Sequence, residues 1–357
     1  MTDDLTLVVG GRKIAGWTGV RVTRGIERIP SDFEIGLTAR SLRGLSAVVV
    51  QPGSSCKVMI GDDLVLTGYV DQYRPGISAG MHAIRVCGRG RCEDLVDCSA
   101  EWPGSQISGS TALGIAQKLA KPYGITVSGE AGPAVPQFIL MYGETAWEVI
   151  ERTCRFAALL AIEQADGNLL LTRVGTTEAG SGFVEGKNVE SAEAVFAMDQ
   201  RYSQYWVYGM GANMYADVGA NPMILKQLSD PGVPRHRRKA IVADSGPEGT
   251  QQEYGIKRAI WEMNRRAARS RMVRLSVDSW RDGKGKLWEP NTLAPVEVPV
   301  LNLPKEKWVI AEVTFQRDLN GTRADVTLMP ADAFLPEPYY PLPIFPDVPF
   351  NIGAAPK

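Results

Sequence analysis

Histidine is almost absent from this chain of 357 residues, which carries only His82 and His236. Neither stands near a Gly-x-Ser-x-Gly elbow, so the usual base for nucleophilic catalysis is missing. Cysteine is sparse at five copies, and the odd count leaves at least one thiol unpaired. That is no disulfide framework, and synthesis in a reducing cytoplasm is the simplest expectation. Net charge is lacking as well. Thirty-nine basic against 40 acidic residues give −1, so the whole molecule advertises neither nucleic acid nor acidic lipid. Long apolar runs are missing: the one through Ala157 to Ile162 ends at Glu163, far short of a bilayer. The start, MTDDLTLVVGGRK, lacks the basic segment and apolar core of a signal peptide.

What is present is a folding chain. It is 44% hydrophobic and 22% charged, enough for real cores, and its length suggests about two to four domains. The organising stretch runs from Cys56 to Arg91. Val58 and Ile60 alternate with polar neighbours, Gly61-Asp62-Asp63 turns the chain, and Leu64, Leu66 and Gly68 alternate again. A third run places Ile84 and Val86 two apart, completing an antiparallel meander. The pattern recurs between Pro290 and Leu328. Pro52-Gly53 answers to Pro290-Asn291, Val58-x-Ile60 to Val296-x-Val298, and Ile84-Arg85-Val86 to Ala324-Asp325-Val326. Val65 to Val70 is aligned with Trp308 to Val313, and the loop with Pro75 and Gly80 with Asn320-Gly321. An internal duplication is therefore expected.

The expected fold class is mainly β with α+β: two similar antiparallel β-barrels, an α+β module and a helical and loop insertion. The first barrel occupies 1–91 and the α+β module 92–178. The second barrel is discontinuous, 179–210 and 272–334, around an insertion at 211–271. In the module, Ser110 or Thr111 caps a helix stopped by Lys121-Pro122. Thr145-x-x-Glu148 forms a capping box, and Asp166-Gly167 turns a hairpin. Residues 211–253 read as a long loop, followed by a helix over 254–271 with Ile256, Ile260, Met263 and Ala267 on one face. Residues 335–357 are too proline-rich for a central strand and form an extended arm.

Candidate chemistry is thin. Cys87, Cys92 and Cys98 with His82 lack zinc-site spacing and sit among Arg85, Arg89 and Arg91. Gly88-Arg89-Gly90-Arg91 lacks the remainder of either phosphate-binding fingerprint. No setting singles out a carboxylate pair for glycoside cleavage. No catalytic, cofactor-binding or metal-binding residue is expected, and no enzyme. The most uneven charge lies between Arg235 and Arg274, including Arg265, Arg266 and Arg269. It reads either as a nucleic-acid surface or, more plainly, as a solvated or subunit-facing helix.

The order of these pieces resembles the baseplate hub proteins of contractile-tailed bacteriophages, in particular the phage Mu tail hub family. More remotely it is similar to the hub part of the VgrG spike of type VI secretion. The resemblance is carried by Gly16-Trp17, Val20-x-Val22, Phe33, the 52–71 stretch, Val86-x-Gly88-Arg89 and Asp94 to Ser99. It continues through Gly143 to Arg152, Arg265 to Arg269, Gly285-x-Leu287-Trp288-x-Pro290-Asn291 and Gly321-Thr322. It implies a homotrimer with two tube-like barrels per subunit. Such a ring adapts a six-fold tail tube to a three-fold spike, with no catalytic residues and no cofactor. Implied partners are the trimeric spike and the tube or tube-initiator protein, with tape-measure and baseplate wedge proteins nearby. DNA would pass through the lumen only in transit, without membrane insertion, in a virion baseplate assembled in the host cytoplasm. In that setting Trp280 and Trp288 are either exposed interface anchors or core residues. The alternatives are a cell-wall-degrading tail enzyme and a nucleic-acid-binding protein using 235–274.

Overall fold

Alternating apolar residues build one continuous sheet. A computed structural model describes residues 3–38, 50–78, 81–135, 138–209, 223–243, 251–319 and 321–338. Parts of the insertion (210–222 and 244–250), Asn320 and the arm beyond 338 lie outside these residues. The first block comprises β1 (Leu5–Val9), β2 (Arg12–Ile14), β3 (Gly19–Gly25), β4 (Arg28–Thr38), β5 (Ser55–Ile60), β6 (Asp63–Ser78) and β7 (Met81–Gly90). Their spatial order is β3-β4-β7-β6-β5-β1-β2. The second block orders Val189–Phe196, Arg271–Val277, Gly321–Met329, Leu303–Asp318 and Thr292–Val298, with Thr177–Glu178 and Phe183–Val184 parallel to the last.

The blocks merge where β3 runs antiparallel to Leu303–Asp318, Val22 opposite Phe315 and Thr23 opposite Thr314. The two threonine hydroxyls meet there at 3.1 Å. Strand pairing among the described residues leaves each block open at its ends. The two expected barrels are thus joined as halves of one sheet, and strand pairing among the described residues does not close either of them. They share one core, running from Leu7, Phe33 and Ile60 through Trp288 and Phe315 to Val326.

The duplication is real at the level of register. β6 and Leu303–Asp318 are each 16 residues long. The hairpin pair Ser78–Met81 maps onto Asp318–Gly321, and the bulge at Asp71 onto the bulge at Ala311. Ile35 opposite Val86 maps onto Leu275 opposite Val326. The entry to each meander is closed identically. Gly53 N–H donates to Val70 O at 2.7 Å, and Asn291 N–H to Ile310 O at 2.9 Å. Both residues hold positive φ, +82° and +64°, a conformation that Gly and Asn tolerate best. One facing pair exchanges bulk: Phe33 against Gly88 in the first block becomes Val273 against Leu328 in the second. A β-carbon on Gly88 would lie 2.6 Å from the Phe33 ring, so the large side chain has only changed strands.

Two sequence expectations change. Val65 to Val70 corresponds to Lys305 to Ile310, not to Trp308 to Val313. The shift is three residues: Trp308 to Ala311 are buried at every position and carry no alternation to fix a register, whereas turns and bulges fix it absolutely. Gln204–Gly209, expected in the second barrel, instead pairs with Met223–Ser229 and Arg238–Ala243, both expected as loop. Their apolar residues stand in runs, Met223-Ile224-Leu225 and Ala240-Ile241-Val242-Ala243, rather than alternating with polar ones. Helix α4 is preceded in chain order by α1 (Glu93–Asp97), α2 (Ala112–Ala120) and α3 (Ala146–Ala157), and spans Gln251–Arg269. It packs Tyr254 and Ala259 on Tyr205, Val207 and Ile241. Its buried stripe is therefore not the expected one, and Ile260 is 42% exposed. This insertion sits where the first block has only the Ile26-Glu27 turn between β3 and β4.

The α+β module follows its local signals. Thr111 Oγ1 accepts from Gly114 N–H, capping α2. Thr145 and Glu148 complete the capping box of α3 at 3.2 and 2.8 Å. Leu160–Glu163 and Leu169–Thr172 form the hairpin around Asp166-Gly167. Leu95, Leu119, Val149, Ile150 and Leu171 fill a separate core.

Candidate assembly surfaces

Three of the five thiols are buried and passive. Burial pushes Cys56 and Cys154 up to about 12 and Cys92 well above its usual value, so none of these is a thiolate at neutral pH. His236 is exposed, and His82 lies on β7. Among the described residues, no group of three or more His, Cys, Asp or Glu is placed to hold a metal ion.

Trp280 and Trp288 belong to the core, at 1% and 2% exposure. Trp280 Nε1 donates to Arg323 O at 2.9 Å and Trp288 Nε1 to Ser279 O at 3.0 Å. Phe183 packs on Trp288 with centroids 4.5 Å apart. Their indole donors are satisfied internally, so the surface-anchor alternative gives way to the core alternative. The sequence left both alternatives open, because the carbonyls that accept from Trp280, on Gln316 and Arg323, stand far along the chain.

Arg265, Arg266 and Arg269 of α4 are also committed. Arg265 donates to Leu335 O at 3.0 Å and to Glu27 Oε1 at 3.1 Å. Arg269 donates to Ala333 O at 3.1 Å and pairs with the same Glu27. Arg266 donates to Glu262 at 2.6 Å and to Gln200 Oε1 at 3.1 Å. Trp261 Nε1 adds a bond to Leu335 O at 2.7 Å. The helix therefore clasps the β3–β4 turn and residues 333–335. A face whose cations already hold internal acceptors is poorly disposed to collect phosphates.

A second joint fixes the module to the first block. The buried carboxylate of Glu163 accepts from Ser31 N–H at 2.7 Å and Cys92 N–H at 2.9 Å. Gly90 makes room for it; a β-carbon there would lie 2.2 Å from Oε1. Next to it Arg89 clamps Asp71 at 2.7 Å and Asp97 at 2.8 Å, tying β7 to β6 and α1. Glu93 stands 3.3 Å from Arg89. Burial first, and the charge of Asp71 second, push its carboxyl up to about 8 despite Arg89. A folded-state value above the unfolded one means that the protonated carboxyl is favoured in the fold. That contribution is complete below the ordinary carboxylate range and is lost as pH rises through about 8. Relative to Glu93→Gln, wild-type stability should fall between about pH 4.5 and 8, on the order of 1 kcal/mol after discounting for solvent contact. Urea unfolding of both proteins across that range measures it; parallel curves would refute the assignment.

Two of the sheet edges left without a partner strand among the described residues belong to the duplicated meanders. One is the outer half of β6, from Gln72 to Ser78, beyond the last residue paired with β5. The other is the free side of Val189–Phe196 beyond the single bridge of Val189 to Glu185; its one partner strand among the described residues is Arg271–Val277. Each exposes a large apolar residue, Ile77 at 89% and Phe196 at 59%. Unpaired ladders of this kind are templates for another strand.

The same architecture occurs in known proteins. Residues 4–90 match the family description "Mu phage baseplate assembly protein GpP-like, N-terminal". Residues 92–173 match "Baseplate hub protein gp44-like, second domain", and 251–337 match "Mu phage baseplate assembly protein GpP, fourth domain". The chain is 32% identical over 346 residues to the baseplate hub protein gp44 of Escherichia phage Mu, covering 94% of this chain and 90% of that protein. The crystal structure of a 43 kDa tail protein of prophage MuSo2 from Shewanella oneidensis is 31% identical with a TM-score of 0.83, covering 94% and 100%. A tail protein from Neisseria meningitidis MC58, 20% identical, shares the fold with a TM-score of 0.79, covering 96% and 100%. An E. coli type VI secretion component, described as similar to T4 tail proteins gp27 and gp5, shares it at 10% identity with a TM-score of 0.56, covering 91% and 76%. On its relationship to gp44 over nearly the whole of both chains, this protein belongs to the phage Mu baseplate hub family.

Proposed function

We propose that the chain is a structural baseplate hub of a contractile tail, acting as a homotrimer that adapts six-fold to three-fold symmetry. The observation that carries this reading is the repeated block, with Gly53–Val70 and Asn291–Ile310 closing the two meanders by the same hydrogen bond. Two equivalent blocks per chain let three copies present six similar faces to a tube while keeping three-fold symmetry toward a spike. The partners are itself, the central spike and the tube or its initiator, with tape-measure and wedge proteins adjoining. Its place is the virion baseplate, assembled in the host cytoplasm. The role is mechanical, by binding on two faces of a ring. Light scattering tests the oligomer: a mass of three times the 38.8 kDa chain is expected, and a monomer at every concentration would overturn the reading.

A further inference from the structure

β3 meets Leu303–Asp318 in a defined register, Val20 opposite Arg317 through Gly25 opposite Glu312. The counterpart of β3 in the second block is Val189–Phe196. Val20 faces Ile35 as Ala192 faces Leu275, and Ile35 and Leu275 are equivalent. The counterpart of Leu303–Asp318 in the first block is β6. Among the described residues neither of these counterparts has a partner strand at the positions used in the internal junction.

We infer that β6 pairs antiparallel with Val189–Phe196 of a second copy of this chain, Tyr73 opposite Phe196, Pro75 opposite Ala194, Gly76 opposite Glu193 and Ile77 opposite Ala192. The side chains fit this register. Residues facing one another across a ladder lie on the same side of the sheet. Tyr73, Pro75 and Ile77 then join Phe196, Ala194 and Ala192 on the core side, where Val313 and Phe315 meet Val22 in the internal junction. On the other side Arg74 lies diagonal to Glu193, within reach of an ion pair. Tyr73, Ala192 and Ala194 are already packed at the margin of the sheet core, so pairing would extend that core. Pro75 has no N–H, which removes one ladder donor and disfavours indiscriminate strand addition. The contact is head-to-tail, so three chains close it into a ring of alternating blocks, internal junctions alternating with intersubunit ones.

This rests on the trimeric hub reading, and the test separates the two. Gly76→Cys with Glu193→Cys places two cysteines opposite each other across chains, within disulfide reach. Ring space is no obstacle, since a β-carbon on Gly76 meets nothing nearer than Ala83 O at 3.9 Å. Mild oxidation should give covalent trimers at least about ten times more abundantly than either single variant, and the out-of-register pair Gly76→Cys with Ala194→Cys should resemble the singles. Ile77→Lys should raise the half-assembly concentration by about tenfold or more with unchanged circular dichroism. A trimeric mass without the in-register cross-link overturns the junction alone and assigns these edges to another protein. A monomer at all concentrations overturns the hub reading and the junction together. Equal cross-linking in the single variants also overturns it.

Discussion

Glu163→Ala is expected to lower the free energy of unfolding by about 3–5 kcal/mol. The carboxylate is 4% exposed and is the only link of its kind described between the α+β hairpin and the first block. Its removal leaves the N–H groups of Ser31 and Cys92 buried without acceptors, each costing about 1–3 kcal/mol. It also opens a void beside Gly90 and withdraws a charge that, after Glu289, offsets the burial of Arg24. Glu163→Gln keeps the shape but turns an amide donor toward one of the two N–H groups, so roughly half of that loss is expected. Urea denaturation at constant m-value measures both. A loss within about 1 kcal/mol for the alanine variant would show that the joint contributes little.

Trp280→Ala should cost about 3–5 kcal/mol in the isolated subunit, the range for truncating a buried aromatic. The indole is 1% exposed, meets Phe315 edge-on at 6.3 Å, and donates between Gln316 O at 3.2 Å and Arg323 O at 2.9 Å. It thereby staples the Leu303–Asp318 hairpin to the segment after Val277. The variant separates the two roles considered for this residue. A core tryptophan lowers the unfolding midpoint of the monomer, whereas an interface anchor would weaken assembly and leave monomer stability intact. Thermal unfolding at concentrations below assembly distinguishes them.

Much of this architecture was legible in the chain, and the reason is locality. Thr145-x-x-Glu148 contains both partners of its capping box, and Asp166-Gly167 turns its own hairpin. Val58-x-Ile60 and Val296-x-Val298 were matched correctly because a single strand shows its inward face by alternation. What sequence missed needed distant partners. Arg265 and Arg269 of a basic helix look like a free cationic face until Glu27, over 230 positions away, appears beneath them. The strands Met223–Ser229 and Arg238–Ala243 are ordered by pairing with Gln204–Gly209 and by the cover of α4, not by their own patterns. The slip that set Val65–Val70 against Trp308–Val313 instead of Lys305–Ile310 came from trusting Trp308-Val309-Ile310 as an apolar run. The bulges at Asp71 and Ala311, which set the register, leave no mark in composition.

The central claim is that each subunit supplies two interchangeable sheet blocks to one annulus. Electron micrographs of the purified oligomer viewed end-on address it most directly. A closed ring about 80–100 Å across, with six similar lobes alternating in two kinds, is the predicted image. Three lobes, or an open chain of subunits, would contradict it.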